Sequence, residues 1–167
     1  MNPDPQPRII VRAFEPEDYV AIQAGTRLVE DPTSVGHAFH SLGPAYTAWS
    51  HTDDRLACAG LAIEWPGRAF AWAVLAPGLR SDPYAAIAFH WRVRRRLHYL
   101  MVEHGLRRVE VDVNVRSGDG IRWLRTLGFQ LEAKMLGYGL HGESFFKFVR
   151  LPPGFSEANV LPMTEVT

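Results

Sequence analysis

The sequence has a single cysteine in 167 residues, so no internal disulfide can form; a reducing compartment is expected, with packing alone holding the fold. Its flanks, Leu56-Ala57-Cys58-Ala59, predict a small buried hydrophobe at Cys58 rather than a nucleophile. Excess charge is also lacking. Lys+Arg number 18 and Asp+Glu number 18, so no overall field draws the chain to nucleic acid, an anionic membrane or an acidic substrate, and any steering is local. No apolar run approaches the roughly 18 to 20 residues of a membrane span. Met1-Asn2-Pro3-Asp4-Pro5-Gln6-Pro7 has neither the basic nor the apolar region of a signal peptide, so a cytoplasmic protein without a membrane partner is expected. Internal repeats and low-complexity tracts are missing too. What is present, 47% hydrophobic and 22% charged residues, suits one globular domain over 1–167. Its folded unit is expected at about 8–151, with 1–7 and 152–167 as extended, proline-bearing tails.

Along the chain, Arg8 to Ala13 reads as a first strand, and Glu15-Pro16-Glu17-Asp18 opens a helix running to about Glu30. A short helix or loop is expected around Val35 to Ser41. Three strands follow at hairpin spacing, Ala45 to Ser50, Arg55 to Trp65 and Arg68 to Leu75, and predict an antiparallel meander. Beyond Pro77-Gly78 the period becomes helical, with Ala85, Phe89, Val93, Leu97 and Leu100 on one stripe and a stop at His104-Gly105. Arg108 to Val115 alternates as a strand, with Glu110, Asp112 and Asn114 on its polar face. A short helix over Gly120 to Leu127 and a hairpin of Gln130 to Leu140 with Glu143 to Leu151 complete the order. The strand-helix-strand step from Ala69 to Val115 requires parallel neighbours, so the sheet is mixed α/β (α+β), mostly antiparallel, with six to seven strands and about four helices.

In this order, Ser117-Gly118-Asp119-Gly120-Ile121-Arg122-Trp123-Leu124-Arg125-Thr126-Leu127-Gly128-Phe129 resembles the strand-to-helix motif of the GNAT superfamily of N-acyltransferases, Asn-x-x-Ala-Ile-x-x-Tyr-x-x-Leu-Gly-Phe. The shared positions are Ile121 and Leu127-Gly128-Phe129, with a hairpin after them, and the resemblance spans nearly the whole folded unit. Ala71-Trp72-Ala73-Val74-Leu75 and Gly120-Ile121-Arg122-Trp123 also resemble small GNAT-like proteins of phages and prophages.

The resemblance implies a GNAT-like domain whose fourth and fifth strands splay apart, and acetyl transfer from acetyl-CoA, as cosubstrate, to an amine by direct attack, with no metal. It implies CoA along Val74-Leu75-Ala76-Pro77 and over the turn Gly78-Leu79-Arg80-Ser81 to Tyr84 and Ala85, with Asn114 and Ser117 across the gap. Amides at a helix start, aided by its dipole, are the physical basis for the phosphate part of that site. Two departures bear on it. Where the family's phosphate loop has a central Gly this chain has Pro83, which brings no N–H, beside Asp82, which reads equally well as an N-cap. Where many members have an acid Tyr, this chain has Leu124. Tyr138 and Tyr84 are then the candidate acids, Ser117 a hydrogen-bonding group, and Glu64 the first candidate base, ahead of the polar face Glu110-Asp112-Asn114. Each also has an ordinary structural reading, as a packed aromatic or a strand-edge ion pair. His37 and His40 lack further ligands at metal-site spacing.

Arg92-Val93-Arg94-Arg95-Arg96, with Arg107, Arg108, Arg116, Arg122 and Arg125, sets nine arginines against four acids in that segment. A solvated helix face that attracts CoA phosphates is the better reading, and nucleic acid the lesser. The functional expectation is an N-acetyltransferase acting on a small-molecule or protein amine as a monomer or homodimer. Its rivals are a GNAT-fold binding or assembly module that has lost catalysis and an RNA-binding domain.

Overall fold

The computed structural model describes residues 9–23 and 31–154. Its elements are β1 (Ile10–Ala13), α1 (Pro16–Gln23), α2 (Pro32–Leu42), β2 (Ala45–Trp49), β3 (Arg55–Trp65), β4 (Arg68–Leu75), α3 (Pro77–Ser81), α4 (Pro83–Glu103), β5 (Arg108–Asn114), α5 (Gly118–Thr126), β6 (Gln130–Met135) and β7 (Phe145–Arg150). The strands form one sheet in the order β1-β2-β3-β4-β5-β7-β6, antiparallel throughout except for β4 beside β5. That is the mixed, mostly antiparallel sheet expected. No described helix is long and apolar enough to cross a membrane.

Period-two alternation gives the sheet two different faces. On one, Leu97, Leu100 and Met101 of α4, Leu124 of α5 and Leu127 just after it pack on Leu61, Ala69, Val109 and Phe148. On the other, Tyr19 and Ile22 of α1, with Val35 and Phe39 of α2, pack around Cys58 and Trp72. Trp72 is sandwiched there, its ring stacked on Phe39 at 4.0 Å and met edge-on by Phe14 at 5.3 Å. Cys58 is fully buried, and burial pushes its thiol up to about 12, so it is the inert hydrophobe its flanks predict.

The acids of α1 do more than face a helix dipole. Asp18 accepts from the Glu15 N–H at 3.1 Å, closing the first turn, and its buried carboxylate also takes Thr47 Oγ1 at 2.7 Å and Arg55 Nε at 2.6 Å. One side chain thereby ties α1 to β2 and β3. The continuation of this helix to Glu30 and the tails 1–7 and 155–167 lie outside the described residues.

Three expectations need correction. The 35–41 segment is a full helix from Pro32, because Asp31 caps it by accepting the Ser34 N–H at 3.1 Å and proline suits the first helical position. A fifth described helix, α3, occupies what was expected to be an open turn. The terminal strands are shorter than 130–140 and 143–151: β6 stops at Met135, and Gly137 and Gly142, at φ 63° and 80°, fold the segment before β7 into tight turns.

Gly60 in β3 sits where no side chain fits. A Cβ there would lie 2.7 Å from the Ala45 Cβ, 2.9 Å from the Pro44 carbonyl oxygen and 2.9 Å from Trp72. Gly60→Ala is expected to cost about 2 kcal/mol by overpacking, read as a lower chemical-denaturation midpoint at unchanged slope. A loss below about 0.5 kcal/mol would show that the Trp72 layer yields freely.

Candidate active site

β4 and β5 pair over only three residues, Arg68 with Arg108, Ala69 with Val109 and Phe70 with Glu110. Beyond that point Ala71 to Leu75 bonds only to β3 and Val111 to Asn114 only to β7. The two strands therefore part, as expected for the fourth and fifth. Backbone groups of a strand edge without a neighbour point into the gap, ready to bond an extended ligand.

On the α4/α5 face the wedge opens into an apolar cavity of about 120 Å³, lined near the parting point by Ala71, Ala73, Val111, Phe89, Trp123 and Leu124. Phe89 and Trp123 stack across it at 5.9 Å, joining α4 to α5. Leu124, at the motif's acid position, is buried in the wall and supplies no proton.

The opposite face of the same parting point is polar, and here residues distant in sequence converge. Buried Glu110 receives Arg68 at 2.6 and 2.9 Å, Arg108 at 2.6 Å and Lys147 at 3.1 Å. Lys147 also bonds Asp112 at 2.9 Å, Arg108 extends the network to Glu132, and Arg68 reaches Glu64 at 2.8 Å. The Arg68 guanidinium first, then Arg108 and Lys147, hold the Glu110 carboxyl far below the usual carboxylate range against the opposing effect of burial. Such a carboxylate is too weak a base to take an amine proton. Tyr138 is held the other way: the neighbouring Asp112 carboxylate, as acceptor and as negative charge, raises the phenol pKa, so it keeps its proton. The ring meets Phe145 edge-on at 5.7 Å, which sets it over the end of β5.

Glu64, Tyr138 and the polar face of β5 therefore belong to one network, a convergence with no local sequence signal. Lys147 and Arg68, which hold it together, were missed. Alternation on β7, with Lys147 directly across from Asp112, was the available clue. The side chain of Ser117 makes no capping bond at the start of α5, and Asn114 Oδ1 accepts the Arg116 N–H at 2.9 Å. Both stand at the open end of the wedge.

The expected phosphate site is built differently from the implied one. Pro77 to Ser81 is helical, Leu79 is buried, and the Ala76 N–H is taken by the Leu56 carbonyl at 2.9 Å. At the start of α4, Asp82 Oδ1 accepts the N–H groups of Tyr84 and Ala85, both at 3.0 Å, and Pro83 has none. A carboxylate of the chain occupies the amides that a pyrophosphate would use. The residues of the wedge fit a pantetheine arm, whereas those at the start of α4 do not fit its phosphates as they stand. Arg94 and Arg95 lie on the exposed side of α4, Arg94 over Trp91 at 5.3 Å, whereas Arg92 and Arg96 border the cavity, Arg96 over Tyr46 at 4.2 Å. His37 and His40 lie on α2, and no group of three potential ligands able to hold a metal ion occurs among the described residues.

No protein-family model matches the chain, and no curated protein does. Solved structures do. A single-residue mutant of the spermidine N-acetyltransferase SpeG from Vibrio cholerae superposes with a TM-score of 0.68 at 13% identity, over 85% of this chain and 94% of that one. A chimera of the same Vibrio cholerae enzyme with hSSAT gives 0.68 at 14% identity, over 86% and 95%. Its complex with manganese ions gives 0.66 at 14%, over 86% and 92%. These likenesses lend no support to the finer resemblance to phage proteins. At such identities they establish architecture, and the chain has the fold of the GNAT acetyltransferases.

Proposed function

We propose that this chain is an acyl-CoA-dependent N-acyltransferase that passes an acetyl or larger acyl group to an amine by direct attack. The observation that carries the reading is the parting of β4 and β5 after Phe70 and Glu110, over a cavity that is apolar on one face and bordered by ionisable groups on the other. The thioester arm suits the apolar side, where the free edge of β4 can align it and polarise its carbonyl. The amine suits the side of Asp112, Tyr138 and Glu64. Asp112 replaces Glu110 as the polar-face candidate for base, with Glu64 behind it on the same network, and Tyr138 supplies the proton for the departing thiolate. Ser117 and Asn114 border the pantetheine path, and Gly78, Arg80 and Ser81 remain to meet the phosphates.

Calorimetric titration with acetyl-CoA and desulfo-CoA, followed by thiol release over a panel of amines that includes spermidine, tests this directly. Micromolar binding with turnover is the expected result. Tyr138→Phe is expected to lower kcat about 100-fold with little change in KM. Because the phenol pKa is raised, the wild-type rate should not fall through loss of this proton until the pH exceeds the ordinary phenol value of about 10. An unchanged kcat in Tyr138→Phe would remove it from the mechanism.

A second reading has its own support. Asp82 filling the amides at the start of α4, together with Leu124 in the acid position, suits a GNAT-fold module that binds or assembles without catalysis. Titrations showing no binding of any CoA thioester would favour it, and salt-dependent RNA affinity without CoA binding would favour the arginine face of α4 instead.

A further inference from the structure

The cavity is longer than an acetyl group needs. From the parting point it continues beneath α4, between Ala48, Ala59 and Leu61 of the sheet and Val93 and Leu97 of the helix, toward Tyr46 and Arg96. The space has a local cause. Strand positions facing α4 carry alanine at 48, 59, 71 and 73, while larger α4 side chains such as Phe89, Leu97 and Leu100 keep the helix off the sheet. The cavity surface is almost wholly apolar, and the polar side chains on its lining are Tyr46, Arg92 and Arg96 besides the indoles, so an apolar tail suits the stretch between Ala59, Leu61, Val93 and Leu97. Leu124 turns the wall aliphatic at the position where the family motif has a phenol.

Resting on the transferase reading above, we infer that the acyl group is a straight aliphatic chain of about six carbons, its tail lying under α4. The length follows from volume: a cavity of about 150 Å³ holds benzene, so one of about 120 Å³ holds roughly four to five carbons, provided that the sulfur and carbonyl lie outside it along the free edge of β4. The transfer balances simply. The amine nitrogen forms a bond to the thioester carbonyl carbon, the C–S bond breaks with its electron pair leaving on sulfur, and the proton lost by the amine ends on the CoA thiol. The products are a hexanamide and free CoA.

The test is calorimetric titration of the full chain with acetyl-, butyryl-, hexanoyl- and decanoyl-CoA, before any acceptor is known. Hexanoyl-CoA is expected to bind at least about tenfold more tightly than acetyl-CoA, with no further gain for decanoyl-CoA. Ala59→Leu fills the tail space from the sheet and Val93→Phe fills it from the helix. In whichever folds, the hexanoyl-to-acetyl affinity ratio should fall to about one. Equal wild-type affinities for acetyl- and hexanoyl-CoA overturn the inference while leaving the transferase reading intact, as does a ratio unmoved by both variants. Binding of no thioester overturns the transferase reading and this inference with it.

Discussion

Replacing Glu110 by glutamine should destabilise the protein by about 3 kcal/mol and lower its Tm by about 9 °C. The carboxylate is 3% exposed and receives hydrogen bonds from Arg68, Arg108 and Lys147, so the amide leaves three cations around a neutral group in a poorly hydrated place. The loss stays at the lower end for a broken buried pair because each cation keeps another carboxylate: Glu64, Glu132 and Asp112 respectively. The pH dependence follows from the direction of the shift. The folded carboxyl titrates below its unfolded value, so its contribution is complete above the ordinary carboxylate pKa of about 4.3 and is lost as pH falls from there toward the folded value. The wild type should therefore lose stability steeply below about pH 4, and Glu110→Gln should flatten that limb. Glu64→Gln, at a half-exposed partner of Arg68, should cost less than about 1 kcal/mol. If the two variants cost the same in urea titrations at pH 7, the network is an ordinary solvated surface and not a buried junction.

The second large effect concerns binding. Asp82→Ala removes the acceptor that holds the Tyr84 and Ala85 N–H groups, and with it a negative charge from the place where CoA phosphates would lie. Two charge-assisted hydrogen bonds of about 1.5 kcal/mol each would raise CoA affinity about 100-fold. The lost N-cap costs about 1 kcal/mol of stability, so the variant should bind better and melt lower. Adding Pro83→Gly supplies a third donor and should strengthen binding again, at a further cost in helix-start rigidity. 3′-Dephospho-CoA should gain as much as CoA, because the pyrophosphate is the group concerned. An unchanged Kd would place the phosphates elsewhere and strengthen the case for a binding module that never used this helix start.

Much of the fold around this candidate site is legible in the sequence. Leu127-Gly128-Phe129 in its element order pointed to the fold, and the alternation of Arg108 to Val115 announced a strand with one apolar and one ionisable face. Asp82-Pro83 was legible as a helix cap because capping is local, settled by residues two and three positions apart. The same local signal at Asp31-Pro32 was present and passed over. Glu64 and Tyr138 were named from position along the chain, but what surrounds them was not visible. Arg68 with Glu110 and Lys147 with Asp112 are 42 and 35 residues apart, joined only because β4 and β7 flank β5.

Composition, alternation and caps, interactions of a few residues' reach, were enough to determine most of the strands and helices, the burial of Cys58 and the cap on α4. Tertiary structure alone decided that β4 and β5 separate after three pairs, that an apolar cavity forms beneath α4 and that Glu110 is clamped by three cations. Each of these depends on how far apart packed layers stand and which strands become neighbours. Those distances are set by the sum of side-chain volumes across the whole core, which no short window of sequence contains.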